Sequence, residues 1–258
     1  MPDVVVTGPC RSGTALFHKL INDCVPNAIC TNEIVPSMSE LNSYFSSVRK
    51  AVNKGQPIEN RYARDGSLSD NSWRHGAGIQ SRPVDKPMTG DWTMATKVML
   101  GFQDRIQEVI DMGIPVVAIV RDPFYTLCSW SDPILMEQTV GKIGDDNLHP
   151  WWVKNPFPFV RSDQIGRRAE YWNYLAEKIR DAELNMQPQM FRVIKYENLV
   201  HHTEDTLQKF CIWRRLGNPI GIPKIKSAND ENRYPLSNAH EIREAIEDLC
   251  PARKNLGY

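Results

Sequence analysis

Apolar positions gather in five short runs: "DVVVTG" (3–8), "NAICT" (27–31), "TMATKVML" (93–100), "IPVVAIVR" (114–121) and "QMFRVIKYE" (189–197). Each has strand length and reads as buried. The first, fourth and fifth are rich in Val and Ile and give way to polar or turn residues. Between them the period lengthens. "GTALFHKLINDC" follows the first run. "FQDRIQEVIDMG" sets Phe102, Ile106, Val109 and Ile110 at helical spacing and ends at Gly113, a C-cap residue. "RSDQIGRRAEYWNYLAEKIRDAEL" is long, charged and amphipathic. Strand alternating with helix predicts a mostly parallel sheet covered on both faces, an α/β fold of three layers with a five-stranded centre.

Two stretches break the rhythm. Residues 53–92 are polar, with Gly, Pro, Ser and Asn and little periodicity. Residues 140–160, "VGKIGDDNLHPWWVKNPFPFV", crowd prolines and aromatics together. Irregular segments of that length are either surface excursions or binding loops, and the pair Trp151 and Trp152 inclines the second towards a substrate wall. No repeat or low-complexity linker divides the 258 residues, so 1–258 reads as one domain, with excursions around 40–92 and 135–165.

Composition narrows the function classes. Thirty-one basic side chains balance 31 acidic ones, which disfavours nucleic acid as a partner. The six cysteines, at 10, 24, 30, 128, 211 and 250, form no CxxC pair and no metal spacing with histidine. Buried reduced thiols in a cytoplasmic setting fit them. The start "MPDVVVTG" lacks a basic n-region, and no run approaches membrane-spanning length.

The chemistry begins at "TGPCRSGT" (7–14). A glycine-bearing turn between strand and helix aims successive N–H groups and the positive helix end at one point, a geometry that binds phosphate or sulfate. Gly8, Gly13 and Thr14 give G-x-x-x-x-G-T, without the lysine of an ATP loop. The cation stands inside the loop at Arg11. Alone, the stretch is also compatible with an ordinary turn bearing a surface arginine. A second motif, "RDPFYTLCS" (121–129), follows the fourth strand. Asp122 suits an N-cap and Pro123 the first helical position. Arg121, with Ser129 eight residues on, can clamp another phosphate, or Arg121 can serve a cap or surface ion pair.

Together "PCRSGT" (9–14) and "RDPFYTLCS" (121–129) resemble the sulfotransferases that use 3′-phosphoadenosine 5′-phosphosulfate (PAPS). "IKYENLV" (194–200) and "RYPLSNAHEIREAIEDLCPARKNLGY" (233–258) resemble further segments of bacterial-type members, so the likeness spans most of the chain. It is weakest over 40–95 and 135–190. The resemblance implies a P-loop NTPase-like sulfotransferase fold and an enzyme of EC 2.8.2 type. The donor PAPS and product 3′-phosphoadenosine 5′-phosphate (PAP) would be held by Arg11, Ser12, Gly13, Thr14, Ala15, Arg121, Ser129 and Tyr196, with no metal. It implies that Arg11 neutralises the leaving 5′-phosphate. Lys97, a lysine among residues that read as buried, corresponds to the family's catalytic strand lysine; otherwise it snorkels from the strand end.

For the base, some family branches use a histidine two residues beyond that lysine, where this chain has Met99. Other branches use a glutamate after the second strand, which here is Glu33 in "CTNEIVP"; the bland alternative is a solvated loop carboxylate. His18 reads as a packing or surface residue, and His201 and His202 as surface residues. His75 and His149 stand in reserve. The acceptor expected is a small-molecule alcohol, phenol or amine, with no membrane partner; a homodimer is compatible. Two rival readings stay open: a P-loop small-molecule or nucleoside kinase, lacking its lysine after Gly13, and a non-catalytic PAP-binding protein.

Overall fold

The computed structural model describes residues 3–34, 37–69, 78–99, 101–131, 157–227, 229 and 238–258. The five apolar runs all form strands: β1 (Val4–Thr7), β2 (Ala28–Asn32), β5 (Thr93–Lys97), β6 (Val116–Val120) and β7 (Phe191–Lys195). They make one sheet in the order β2-β5-β1-β6-β7, and every pair is parallel. The register is set by pairs such as Val5 opposite Thr96, Cys30 opposite Ala95 and Ala118 opposite Val193.

The near-continuous apolar character of the strands follows from burial on both faces. Alternate residues divide between two cores, as the period of two requires. Val5, Ile29, Met94, Val116, Ala118 and Val120 face one side. There α2 (Leu41–Asn53), α3 (Ile106–Asp111), α4 (Pro123–Trp130), α5 (Gln164–Asn185) and α8 (Ala239–Leu249) contribute Phe45, Val109, Leu127, Trp172 and Ile242. Val4, Val6, Ala28, Cys30, Val117 and Ile119 face the other side. They meet Phe17 and Ile21 of α1 (Thr14–Cys24), Leu199 of α6 (Tyr196–His201), and Leu207 and Phe210 of α7 (Thr203–Arg214). A short α9 (Ala252–Asn255) follows α8. The six cysteines are free and buried, packed as small hydrophobes.

The stretch 53–92, expected to be irregular, holds an antiparallel ribbon of β3 (Ile58–Tyr62) and β4 (Gly78–Arg82). Its strand period escaped the sequence because the inward positions of β3 are Ile58 and Asn60, the second of them polar. Asn60 is buried because its amide is spent: Nδ2 donates to Cys30 O at 2.9 Å, and Oδ1 lies 3.1 Å from His18 Nε2. β4 is exposed along almost its whole length, and its one apolar residue, Ile79, is exposed with the rest, so no alternation marks it either.

Trp151, Trp152, His75 and His149 lie outside the described residues. No helix among the described residues is long and apolar enough to cross a membrane.

Candidate active site at the C-terminal edge of the sheet

In a parallel α/β sheet, groups just beyond the carboxyl ends of the strands share one rim. The candidate residues of the two motifs, with Glu33, Lys97 and Tyr196, are on that rim or in a helix beside it. The loop 8–13 follows β1, Glu33 follows β2, Lys97 closes β5, Arg121 follows β6, and Tyr196 follows β7. Ser129 comes in from α4.

The loop after β1 needs both glycines. Gly8 has φ 139°, and a Cβ there would lie 2.1 Å from Ile119 O. Gly13 has φ 96°, and a Cβ would lie 2.4 Å from Tyr196 Cδ2. The Tyr196 ring therefore presses on the loop at the position where α1 starts. Arg11 also takes a left-handed conformation, φ 68°, which costs a non-glycine residue of the order of 1 kcal/mol. Gly13 N-caps α1 without a side-chain bond. The first N–H groups of α1, at Thr14 and Ala15, thus have no acceptor within their helix. By contrast α4 is capped by the Asp122 carboxylate, which accepts from Phe124 N at 2.7 Å, with Pro123 next. Ser12 Oγ is buried and has no hydrogen-bond partner among the described residues. An oxyanion fits this cradle: amides without an acceptor in their own helix, a hydroxyl without a partner among the described residues, and an arginine surround the start of one helix.

The second motif meets the first. Arg11 Nε donates to Ser129 Oγ at 3.1 Å, joining residues 118 positions apart. Arg121 Nη1 donates to Arg11 O at 3.2 Å, and its Nε donates to Asn229 Oδ1 at 2.7 Å. The guanidinium lies 4.8 Å from the Tyr196 ring centre and 5.7 Å from that of Tyr125, within cation–π range. Arg121 is only 3% exposed. A surface ion pair does not describe it.

Lys97 is buried and does not snorkel out; its ammonium is hydrogen-bonded to Glu33 Oε1. Glu33 is in turn bound through its own N–H to Lys97 O at 2.8 Å, and its φ is 54°. Arg61 of β3 places Nε 3.8 Å from Glu33 Oε2. Burial alone would raise the Glu33 carboxyl, but Lys97 and then Arg61 more than offset it, so the group ionises below the ordinary carboxylate range. Met99 lies beside the loop, with Thr14 Oγ1 donating to its sulfur at 3.6 Å. His18 is fully buried; burial, reinforced by the Lys97 charge, lowers it to about 4, so it is neutral at pH 7. His201 and His202 are exposed.

Several residues of the rim carried no assignment from sequence. Arg61 and Asn229 stand in segments without a motif. Glu197 sits inside "YENL" and Tyr258 closes the Gly-Tyr pair, so those two lay within recognised segments, but without a role.

No model of a known protein family matches the chain, and no curated protein matches it in sequence. Solved structures do resemble its fold. A sulfotransferase from Alicyclobacillus acidocaldarius is 10% identical over 97% of this chain and 96% of that one, with a TM-score of 0.46. The sulfotransferase domain of a Synechococcus olefin synthase is 10% identical over 100% and 94%, with a TM-score of 0.47. A sulfotransferase from Mycobacterium avium is 11% identical over 96% and 75%, with a TM-score of 0.48.

Proposed function

We propose that the protein moves a sulfuryl group from PAPS to the hydroxyl or amine of a small-molecule acceptor. The observation that carries this reading is the interlock of two oxyanion-binding motifs: Arg11 reaches Ser129, and Arg121 reaches the carbonyl of Arg11. A donor with phosphate groups at two positions of one ribose needs two such sites side by side. The helix start at Thr14 and Ala15, with Ser12, Gly13 and Arg11, would hold the 5′-phosphosulfate. Arg121 and Ser129 would hold the 3′-phosphate, with Tyr196 beside the nucleoside. When bound, the donor supplies an electrophilic sulfur and a phosphate leaving group.

The chain's own residues then have separable tasks. Arg11 and the loop amides neutralise charge on the leaving phosphate. Lys97 places a cation at the end of β5 beside the same loop. Glu33, ionised at neutral pH, accepts the acceptor's proton. The Lys97 contact keeps it oriented and limits its basicity. The ribbon β3–β4, which brings Arg61 to Glu33, supports the assignment of 40–92 to the acceptor side of a single domain spanning 1–258. The same role for 135–165 is part of this proposal.

The kinase alternative wants a lysine after Gly13 and a strand-end carboxylate for magnesium. Thr14 stands at the first position, and the Asp122 carboxylate caps α4. Thermal-shift titration separates the readings. PAP should stabilise the protein more than ATP does, with or without magnesium. Sulfuryl transfer from PAPS to an alcohol or phenol panel should proceed in the presence of a chelator. Equal stabilisation by ATP, or an absolute magnesium requirement, overturns the reading. Tight PAP binding with no turnover on any acceptor would leave a PAP-binding protein.

A further inference from the structure

Glu197, the second residue of α6, gathers three donors on one carboxylate. Asn229 Nδ2 at 2.8 Å and the Asp122 N–H at 3.2 Å reach Oε1, and the Tyr258 hydroxyl at 2.8 Å reaches Oε2. Asn229 turns its amide oxygen to Arg121 Nε at 2.7 Å. The orientation of that amide is dictated by its neighbours. A guanidinium can only donate and an ionised carboxylate can only accept, so Oδ1 must face Arg121 and Nδ2 must face Glu197. Tyr258, Glu197, Asn229 and Arg121 thus form one polar chain of three hydrogen bonds, each of ordinary length.

The far end of the chain is itself anchored. Tyr258 N–H donates to Arg253 O at 2.9 Å. Lys195, the last residue of β7, sets its ammonium 5.0 Å from the Tyr258 ring centre and donates to Gly257 O at 3.3 Å. Burial, together with the Glu197 charge, raises the Tyr258 phenol well above its ordinary range, so it remains a donor through neutral pH. At the near end, the bonds from Nε to Asn229 and from Nη1 to Arg11 O fix the plane of the Arg121 fork. That plane sets the direction in which the guanidinium can offer paired N–H groups to a phosphate.

We infer that Tyr258, Glu197 and Asn229 are positioning residues for Arg121, and that they set how strongly the protein prefers nucleotides with a 3′-phosphate over those without. The inference rests on the role proposed for Arg121 above. It ties donor selectivity to a tyrosine 137 positions away in the chain.

The test is calorimetric titration of PAP and adenosine 5′-monophosphate into the full chain. Wild type should prefer PAP. Tyr258→Phe keeps the ring and removes only the hydroxyl; it should cut the PAP-to-monophosphate affinity ratio by about 3–10-fold, the net worth of one ordinary hydrogen bond, because the hydroxyl acts on Arg121 only through its neighbours. Monophosphate affinity should stay within about twofold. Asn229→Ala should cut the ratio further, and adding Tyr258→Phe to it should change little, because the link is already broken. Equal loss of both affinities means general loosening and overturns the inference, as does an unaltered ratio in a wild-type background that prefers PAP. A full Tyr258→Phe effect on top of Asn229→Ala overturns the chain as the route. A wild type indifferent to the 3′-phosphate overturns the donor reading, and the selectivity inference falls with it.

Discussion

Lys97 and Glu33 hold each other twice: ammonium to carboxylate, and peptide N–H of Glu33 to peptide carbonyl of Lys97 at 2.8 Å. The second bond extends the β2–β5 ladder by one residue, where Asn32 already pairs with Lys97. The ladder therefore delivers the carboxylate to the lysine. A buried cation without such a partner would be costly. Glu33→Gln keeps the shape and removes both the charge and the basicity. The expected result is a loss of roughly 10²–10⁴-fold in kcat, the usual worth of a general base, with PAP affinity nearly intact. It should be measured across pH, because an amine acceptor that arrives deprotonated would blunt the loss. Near-full kcat on an alcohol acceptor would remove Glu33 from the mechanism.

Arg121→Ala should weaken PAP binding by about 1.5–3 kcal/mol, the range for a hydrogen bond to a charged group. In turnover the change should appear as a raised KM for PAPS. Adenosine 5′-monophosphate should bind almost as before. Unchanged PAP affinity would assign the 3′-phosphate to other residues.

Gly13→Ala puts a methyl 2.4 Å from the Tyr196 ring at a φ of 96°. Ring displacement and backbone strain should together cost about 1–3 kcal/mol of stability, read by urea unfolding. Tyr196→Ala in the same chain removes the clash but not the strain, so the alanine at 13 should then cost less. An identical cost in both backgrounds would mean that the ring is not what confines Gly13.

His18 supplies a pH dependence whose sign can be worked out. Burial, and then the Lys97 charge, depress its pKa to about 4 from the ordinary 6.5. Below 6.5 the unfolded chain takes up the proton first. Stability is therefore complete above 6.5 and declines as pH falls towards 4, by at most about 3 kcal/mol. His18→Gln keeps a polar partner for Asn60 and cannot titrate. Its Tm should fall less than that of wild type between pH 7 and 4.5. Parallel Tm–pH curves would remove His18 as a source of acid sensitivity.

Much of this fold is legible locally. β1 and β6 are short Val-rich runs because parallel strands buried on both faces need apolar residues at every position. Asp122 and Pro123 declare the start of α4 because a helix end must satisfy its own amides. The ribbon β3–β4 was illegible for the converse reason. Asn60 takes an inward place that periodicity reserves for an apolar side chain, and it is tolerated there only because His18 and Cys30, distant in sequence, satisfy its amide.

The candidate site divides along the same line. The loop 8–14 and the stretch 121–129 are each continuous in sequence, and the sequence by itself determined their residue types and their spacing, on which the proposed ligand rests. It could not determine that Arg11 would bond Ser129, that Arg61 would approach Glu33, or that Tyr258 would reach Arg121 through Glu197 and Asn229. Those pairings depend on the parallel direction of all five strands, which brings their carboxyl ends to one rim, and on the order β2-β5-β1-β6-β7, which decides which ends are neighbours. Strand order is settled by how helices cover the two faces of the finished sheet. That is a property of the whole packed chain, and no local run of residues encodes it.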